Sequence, residues 1–475
     1  MKKRVAVVLS LVAIVVIVVS TFVAIGSYQG ASKKPFYVGV TYGGSSTTEA
    51  EQLIDKVKNY TNLFVVQSSP LQSNLTAMEE VCDYAVNSGL NIITYFSSSS
   101  NSNATSFLDT AQTRWGSHFL GVYYSDEPGG RMIDFGMPLY NASSGEWITK
   151  RTGFYSVNKN ANGQYTAISF YDSGMIDLSV SNSDASQFYH TNYYPDGTVM
   201  YYASSGTGYS ILYQPNGTVT DQYGNSVTDA GDISQFEPYP KLWDSRPIKT
   251  YADAAKLYVD TQQNSLASIR NQSSVKLFTS DYALDWYDYQ GGYDVVLGEL
   301  GWNQSTNQSI ALVRGAADMQ HKSWGAMITW ESQSAPYMQS GDQIYNESRQ
   351  AYESGATYVV VFNYSPNDNG TGLMQDEHFA ALQKFWSDVV QNPQETNNAR
   401  GQAAFVLPKD YGSGLRRPDD IIWGLWQPDN TSQQVWTALQ ASLSRYGSNL
   451  DIVYDDSTYP VAGAYSQVYY WNQTI

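Results

Sequence analysis

Phe-Leu-Gly-Val-Tyr-Tyr-Ser-Asp-Glu-Pro-Gly-Gly, residues 119–130, is the stretch on which the fold reading turns. Its apolar half has the character of a strand buried on both faces, and it ends at Asp126, Glu127 and Pro128. Two carboxylates followed by a residue that cannot continue a sheet ladder mark a strand terminus. In a barrel of parallel strands the C-terminal strand ends face the active site, so acids placed there sit on rigid backbone aimed into a cleft.

Working outward, short β-branched or aromatic runs alternate with longer stretches whose apolar residues recur at three- and four-residue spacing. Strands are expected at residues 36–41, 63–67, 91–96 and 119–124, with helices at 47–59, 75–86 and 105–115. The alternation stops at Arg131 and resumes with a helix over 251–270. Strands then follow at 275–279, 294–297, 324–329 and 358–362, with helices at 309–319, 344–354 and 379–390. Removing the interruption leaves about 240 residues in residues 31–130 and 251–391, close to the roughly 250 of a (β/α)8 barrel. Right-handed crossovers close such an eightfold alternation, so the expected class is α/β, a TIM barrel.

The interruption, residues 131–250, lacks helical periodicity and repeats one pattern: Tyr-Tyr-Pro-Asp-Gly-Thr-Val at 193–199 and Tyr-Gln-Pro-Asn-Gly-Thr-Val at 213–219. Pro-Asp-Gly and Pro-Asn-Gly between extended arms are turn chemistry, so this segment is read as a β-rich insertion of antiparallel hairpins. Leaving directly after the fourth strand, it is expected to rise beside Glu127 and wall or cover the cleft. After a polar linker, residues 402–475 carry three strand-like runs around one helix, a small α/β extension.

Composition narrows the function classes. The 475 residues carry a formal charge of −17, which excludes a broad basic face for nucleic acid. Charged residues are only 15%, against roughly 25% in an average domain, while tyrosines number 39. Lys2, Lys3 and Arg4 precede an uncharged apolar run to about Gly26, roughly 33 Å long as a helix. That exceeds the 7–15 apolar residues of a cleavable signal and matches a bilayer core, so residues 1–30 are read as a signal-anchor transmembrane helix with the bulk of the chain extracytoplasmic. Sequons from Asn59 to Asn472 agree with a glycosylated, outward-facing chain. Cys82 is the only cysteine, so no internal disulfide exists.

The chemistry-bearing positions lie at strand ends. Glu127 follows strand four and Glu331 follows strand seven, across a barrel mouth from one another. Glycoside cleavage needs a protonated acid on the leaving oxygen and a second carboxylate opposite it. On these residues the sequence resembles the clan of retaining glycoside hydrolases built on the (β/α)8 barrel, in which an Asn-Glu-Pro stretch after strand four carries the acid/base and a Glu after strand seven the nucleophile. The resemblance implies Glu127 as acid/base, Glu331 as nucleophile, a carbohydrate substrate and no cofactor. It departs at Asp126, where that clan has Asn; an added charge there is expected to raise Glu127 or to read a different hydroxyl. Glu299, after strand six, is the rival second carboxylate and would suit an inverting pair.

Tyr42, Tyr95, Trp286, Trp302 and Trp330 all follow expected strands, where they either stack on sugar rings or cap the barrel core. Asp126 and Asp281 either meet substrate or cap the segments after them. The four histidines show no ligand spacing, and Asp281 with Asp285 lacks the oxygen-rich loop of a calcium site, so no metal is expected. The alternative to an enzyme is a catalytically inactive barrel that binds glycans at the cell surface or serves the envelope structurally.

Overall fold

The computed structural model describes residues 35–97, 100–150, 153–159, 163, 165–171, 173–181, 188–203, 209–364, 372–392 and 401–473. The N-terminal run read as a membrane anchor lies outside the described residues, as does the sequon at Asn369. Among the described residues no helix is long and apolar enough to cross a membrane.

Eight parallel strands close a barrel: β1 (Tyr37–Tyr42), β2 (Leu63–Val66), β3 (Asn91–Phe96), β4 (Phe119–Tyr124), then, beyond the insertion, β14 (Lys276–Asp281), β15 (Val295–Leu300), β16 (Ser323–Ile328) and β17 (Tyr358–Val361). Closure runs through β17, which pairs with β1 from Tyr37↔Tyr358 to Val40↔Val361. The α/β TIM-like fold expected from the alternation is therefore present. Leu63, Val65, Ile93, Tyr123, Phe278, Val295, Leu297, Met327, Tyr358 and Val360 fill the interior. Bulky side chains from every second position of each strand make this a packed core and not a pore. Gly121 sits at φ 150°, and a Cβ there would stand 2.1 Å from the Lys276 carbonyl oxygen, so β4 approaches β14 only as glycine.

Around the barrel lie α1 (Thr47–Val57), α2 (Leu75–Asn87), α3 (Asn101–Trp115), α4 (Pro128–Phe135), α5 (Tyr251–Gln272), α6 (Asp285–Gly291), α7 (Thr306–Met319), α8 (Gly341–Glu353) and α9 (Asp376–Phe385). Their starts are chemically specified. The Ser46 hydroxyl accepts the Glu49 N–H at the head of α1, and Thr250 with Asp253 forms a capping box at the head of α5. α4 and α6 are elements the periodicity did not announce.

Between α4 and α5 the chain builds one antiparallel sheet of nine strands, each paired with its neighbours in sequence: β5 (Leu139–Asn141), β6 (Glu146–Lys150), β7 (Gly153–Lys159), β8 (Tyr165–Tyr171), β9 (Ile176–Ser181), β10 (Phe188–Tyr193), β11 (Val199–Ala203), β12 (Ser210–Tyr213) and β13 (Val219–Asp221). The repeated motifs form its turns. Gly197 N–H donates to Tyr194 O and Gly217 N–H to Gln214 O, with Asp196 and Asn216 accepting from the backbone of Thr198 and Thr218. One face buries Phe170, Ile176, Tyr193, Val199 and Tyr213 against Phe236 and Trp243. The sheet begins seated on α5, where Tyr140 N–H donates to Thr261 Oγ1 at 2.5 Å.

The last segment is a three-stranded parallel sheet, β18 (Ala403–Leu407), β19 (Leu450–Tyr454) and β20 (Gln467–Tyr470), in the order β19-β18-β20, with α10 (Asn430–Tyr446) between its first two strands. It is joined to α7 by Arg314, 2% exposed, whose Nε donates to Asp451 Oδ1 at 2.6 Å and whose Nη2 donates to the carbonyls of Ser448 and Leu450. Gly315 lets the sheet come close: a Cβ there would stand 2.4 Å from Ile452 O.

Candidate active site

Strand alternation decides what reaches the top of the barrel. Val295 and Leu297 point inward, so Glu299 does also; Phe278 points inward, so Ser280 follows it and Asp281 faces the opposite side. Tyr123, inward from β4, completes the layer. These side chains form one network. The Tyr123 hydroxyl donates to Asp126 and lies 2.8 Å from Ser280 Oγ, which donates to Glu299 Oε1 at 2.7 Å. Gln67 Nε2 reaches both Tyr123 and Asp126 at 3.4 Å. Tyr95 packs edge-on against Tyr123, ring centroids 5.4 Å apart.

Glu127 is delivered to this network by strained backbone. Ser125 and Glu127 both hold left-handed conformations, φ 58° and 50°, which side-chain-bearing residues adopt at a cost of order 1–3 kcal/mol each. The surroundings fix them. Ser125 N–H donates to Phe96 O at 3.0 Å, Glu127 N–H to Ser280 O at 3.1 Å, and Thr279 Oγ1 to Ser125 O at 3.1 Å. Asp281, fully buried, accepts the N–H groups of Gly129 (2.5 Å) and Gly130 (2.8 Å), the first turn of α4, and those of Tyr282 and Ala283. It is thus the cap of the helix that follows Glu127.

The electrostatics favour protonated acids. Burial, then the neighbouring Asp126 charge, pushes the Glu127 carboxyl up to about 7. Burial, then Glu127 and Asp126, holds Glu299 well above the usual carboxyl range. The Glu127 and Glu299 carboxyls are in hydrogen-bonding contact. Glu299 is the donor in that contact, since it lowers Glu127 while Glu127 raises it. Burial also raises Asp126, against the hydrogen bond from Tyr123. The Arg131 charge on α4 works against both the Asp126 and the Glu127 rise.

Glu331 stands half-buried past the end of β16, its N–H donating to Tyr337 O at 2.6 Å. The acid whose titration it influences is Glu347 on α8, which is also held by Gln339 and Thr306. The aromatic positions divide. Trp302 and Trp330 meet at 6.0 Å between ring centroids, and Trp330 packs on Tyr337, Phe362 and Tyr364. Tyr42 lines a cavity of about 500 Å³ with Tyr364, at the ends of β1 and β17, and its hydroxyl is spent on Ser46. Trp286 lies buried on α6 against Tyr454 and Tyr459 of the C-terminal segment.

Sequence reasoning missed Tyr123, Ser280, Gln67 and Arg131, although the two-residue period along each strand would have placed the first two beside Glu299. It named Asp281 and Asp285 but missed Asp288, the third of three buried acids that begin at the end of β14. Tyr258 Oη donates to Asp288 Oδ1 at 2.5 Å, Asp281 and Asp288 are in contact, and burial pushes Asp285 up to about 7. Among the described residues no group of His, Cys, Asp and Glu is arranged to hold a metal ion. Nor does any described residue of 139–244 join the network around Glu127.

No protein-family model matches the chain, and no curated protein matches it.

Proposed function

We propose that this chain is a membrane-anchored, outward-facing glycoside hydrolase of retaining mechanism, acting on extracellular or envelope polysaccharide, with Glu127 as acid/base and Glu331 as nucleophile. The observation that carries the reading is the Glu127 carboxyl, raised to about 7 by burial and by Asp126 at the mouth of a parallel barrel. A general acid must hold its proton at working pH yet release it to a leaving oxygen, and such tuning is what burial and like charges supply. The hydrogen bond from Glu299, itself held well above the usual carboxyl range, works against that rise and so eases release of the Glu127 proton.

In this reading the Glu331 carboxylate attacks the anomeric carbon while the glycosidic C–O bond breaks and the Glu127 proton passes to the leaving oxygen. Glu127, now ionised, takes a proton from water, whose oxygen cleaves the glycosyl ester and frees Glu331. No cofactor enters. Asp126, charged where the resembling clan carries Asn, binds a ring hydroxyl. The test is a pair of variants on chromogenic and natural glycosides. Glu127→Gln is expected to lose turnover of poor leaving groups by at least 10³-fold, while activated aryl glycosides, whose leaving group departs unprotonated, are turned over faster with azide, which takes the place of the base-activated water; Glu331→Gln is expected to be inactive on both. Full activity in either variant removes that residue from the mechanism.

The hydrogen bond between the Glu127 and Glu299 carboxyls speaks against an inverting pair, which needs a separation of roughly 6.5–9.5 Å, and leaves an inactive glycan-binding barrel as the alternative to the retaining enzyme. Glycan binding without turnover in the wild type would select it.

A further inference from the structure

Beside the Glu127 network, where the C-terminal segment meets the barrel, lies a second cavity of about 500 Å³. Its walls come from three places: Asp134 on α4, Trp302 and Gln304 after β15, and Arg416, Trp436 and Gln440 from the C-terminal segment. It adjoins the proposed acid, because Trp302 lies three residues beyond Glu299 and the Asp134 charge acts on Glu127. Its volume falls within the roughly 300–1,000 Å³ of small-molecule sites.

The lining is chemically selective. Trp302 and Trp436 are half-buried indoles, and Trp302 Nε1 is a buried donor with no acceptor among the described residues. Indole faces against ring C–H groups, with amide side chains for hydroxyls, are what a pyranose needs. Charge in the wall is already matched. Arg416 Nη1 and Nη2 donate to Asp134 at 2.9 and 2.8 Å, and its Nε and Nη2 donate to Asp420 at 3.0 and 2.7 Å. Arg417, also in the lining, has a side chain 68% exposed and pairs with Asp419 at 3.7 Å, so it is a solvated cation. No buried, uncompensated cation remains here to attract a uronate or a sulfate.

We infer that this cavity is a subsite for a neutral pyranose of the substrate chain, built jointly by the barrel and the C-terminal segment. The inference rests on the glycoside-hydrolase reading for its substrate but not for its test. The full chain carrying Glu127→Gln is titrated calorimetrically with neutral glucose, mannose and N-acetylglucosamine oligomers of one to six units, and with a polyuronate of matched length. Binding of at least one neutral series, tightening with length and changing less than twofold between 50 and 500 mM salt, is expected. Trp436→Ala is expected to weaken it at least tenfold and Gln440→Ala severalfold, in proteins melting at the wild-type temperature.

Binding unaffected by both substitutions, no binding of any neutral series, or tighter and salt-sensitive binding of the polyuronate overturns the inference. The two readings fail separately. Wild-type protein that binds but never cleaves leaves the subsite standing without the hydrolase. Cleavage with KM unchanged in Trp436→Ala leaves the hydrolase without the subsite.

Discussion

Asp285→Asn offers the sharpest test of the buried acids beneath the mouth. Asp285 is 5% exposed at the start of α6, and its Oδ1 has no hydrogen-bond partner among the described residues. Burial pushes its carboxyl up to about 7, overriding the favourable position at a helix N-terminus. The sign follows from proton counting. Below an unfolded value of about 3.9 both states are protonated and the group contributes nothing. Between there and about 7 the folded chain keeps a proton that the unfolded chain has released, so stability falls as pH rises. Above 7 the cost is complete. A rise of about three pKa units corresponds to about 4 kcal/mol. At about 2.1 cal/mol/K per residue, 475 residues give an unfolding entropy near 1 kcal/mol/K, so the effect on Tm is about 4 °C. Differential scanning calorimetry of wild type and variant at pH 4.5 and pH 8 reads this directly. Part of the cost is already present at pH 4.5, so between the two pH values the variant is expected to gain about 3 °C on wild type, whatever offset the substitution itself introduces. Parallel pH dependences in the two proteins would refute the argument that this acid is forced to hold its proton.

In the proposed enzyme, kcat/KM should fall as pH rises through about 7, where Glu127 loses the proton it donates; an alkaline limb that survives in Glu127→Gln assigns the proton elsewhere. Arg314→Leu strands the Asp451 carboxylate, 0% exposed, with Gly401 N–H as its other partner, and should cost about 3–5 kcal/mol in chemical unfolding. Replacing both Arg314 and Asp451 with leucine should recover part of that loss. Gly315→Ala forces a Cβ against the Ile452 backbone and should destabilise by about 1–3 kcal/mol, with the C-terminal sheet becoming the first site of limited proteolysis.

Much of the barrel was readable in advance because parallel strands covered on both faces appear as unbroken apolar runs, and the helices outside them carry a polar stripe. α6 was invisible for the complementary reason. Six of its seven residues are buried, so it has no polar face to produce a helical period. Without α6, Trp286 reads as following a strand toward the mouth; it instead turns, after left-handed Leu284, into the packing beside Tyr454. α4 was hidden by its shortness and by Gly129 and Gly130, which contribute no side-chain pattern. At the site, Glu127 and Glu299 stood out as acids ending apolar strands, and the two-residue period accounts for Tyr123 and Ser280 beside them. Arg416 left no such trace, because its partner Asp134 lies 282 positions away and no local rule joins them.

Because the barrel closes through its first and last strands, β1 leaves the ribosome about 320 residues before the partner that seals its outer edge. The nine-stranded sheet has no such wait, since each of its strands bonds to sequence neighbours and can assemble while the barrel is half made. A nascent chain therefore passes through a stage with a finished insertion and an unsealed half-barrel exposing bare strand edges. Products terminated anywhere before Val361 keep that edge permanently, and their fate should be aggregation or proteolysis rather than a smaller working protein.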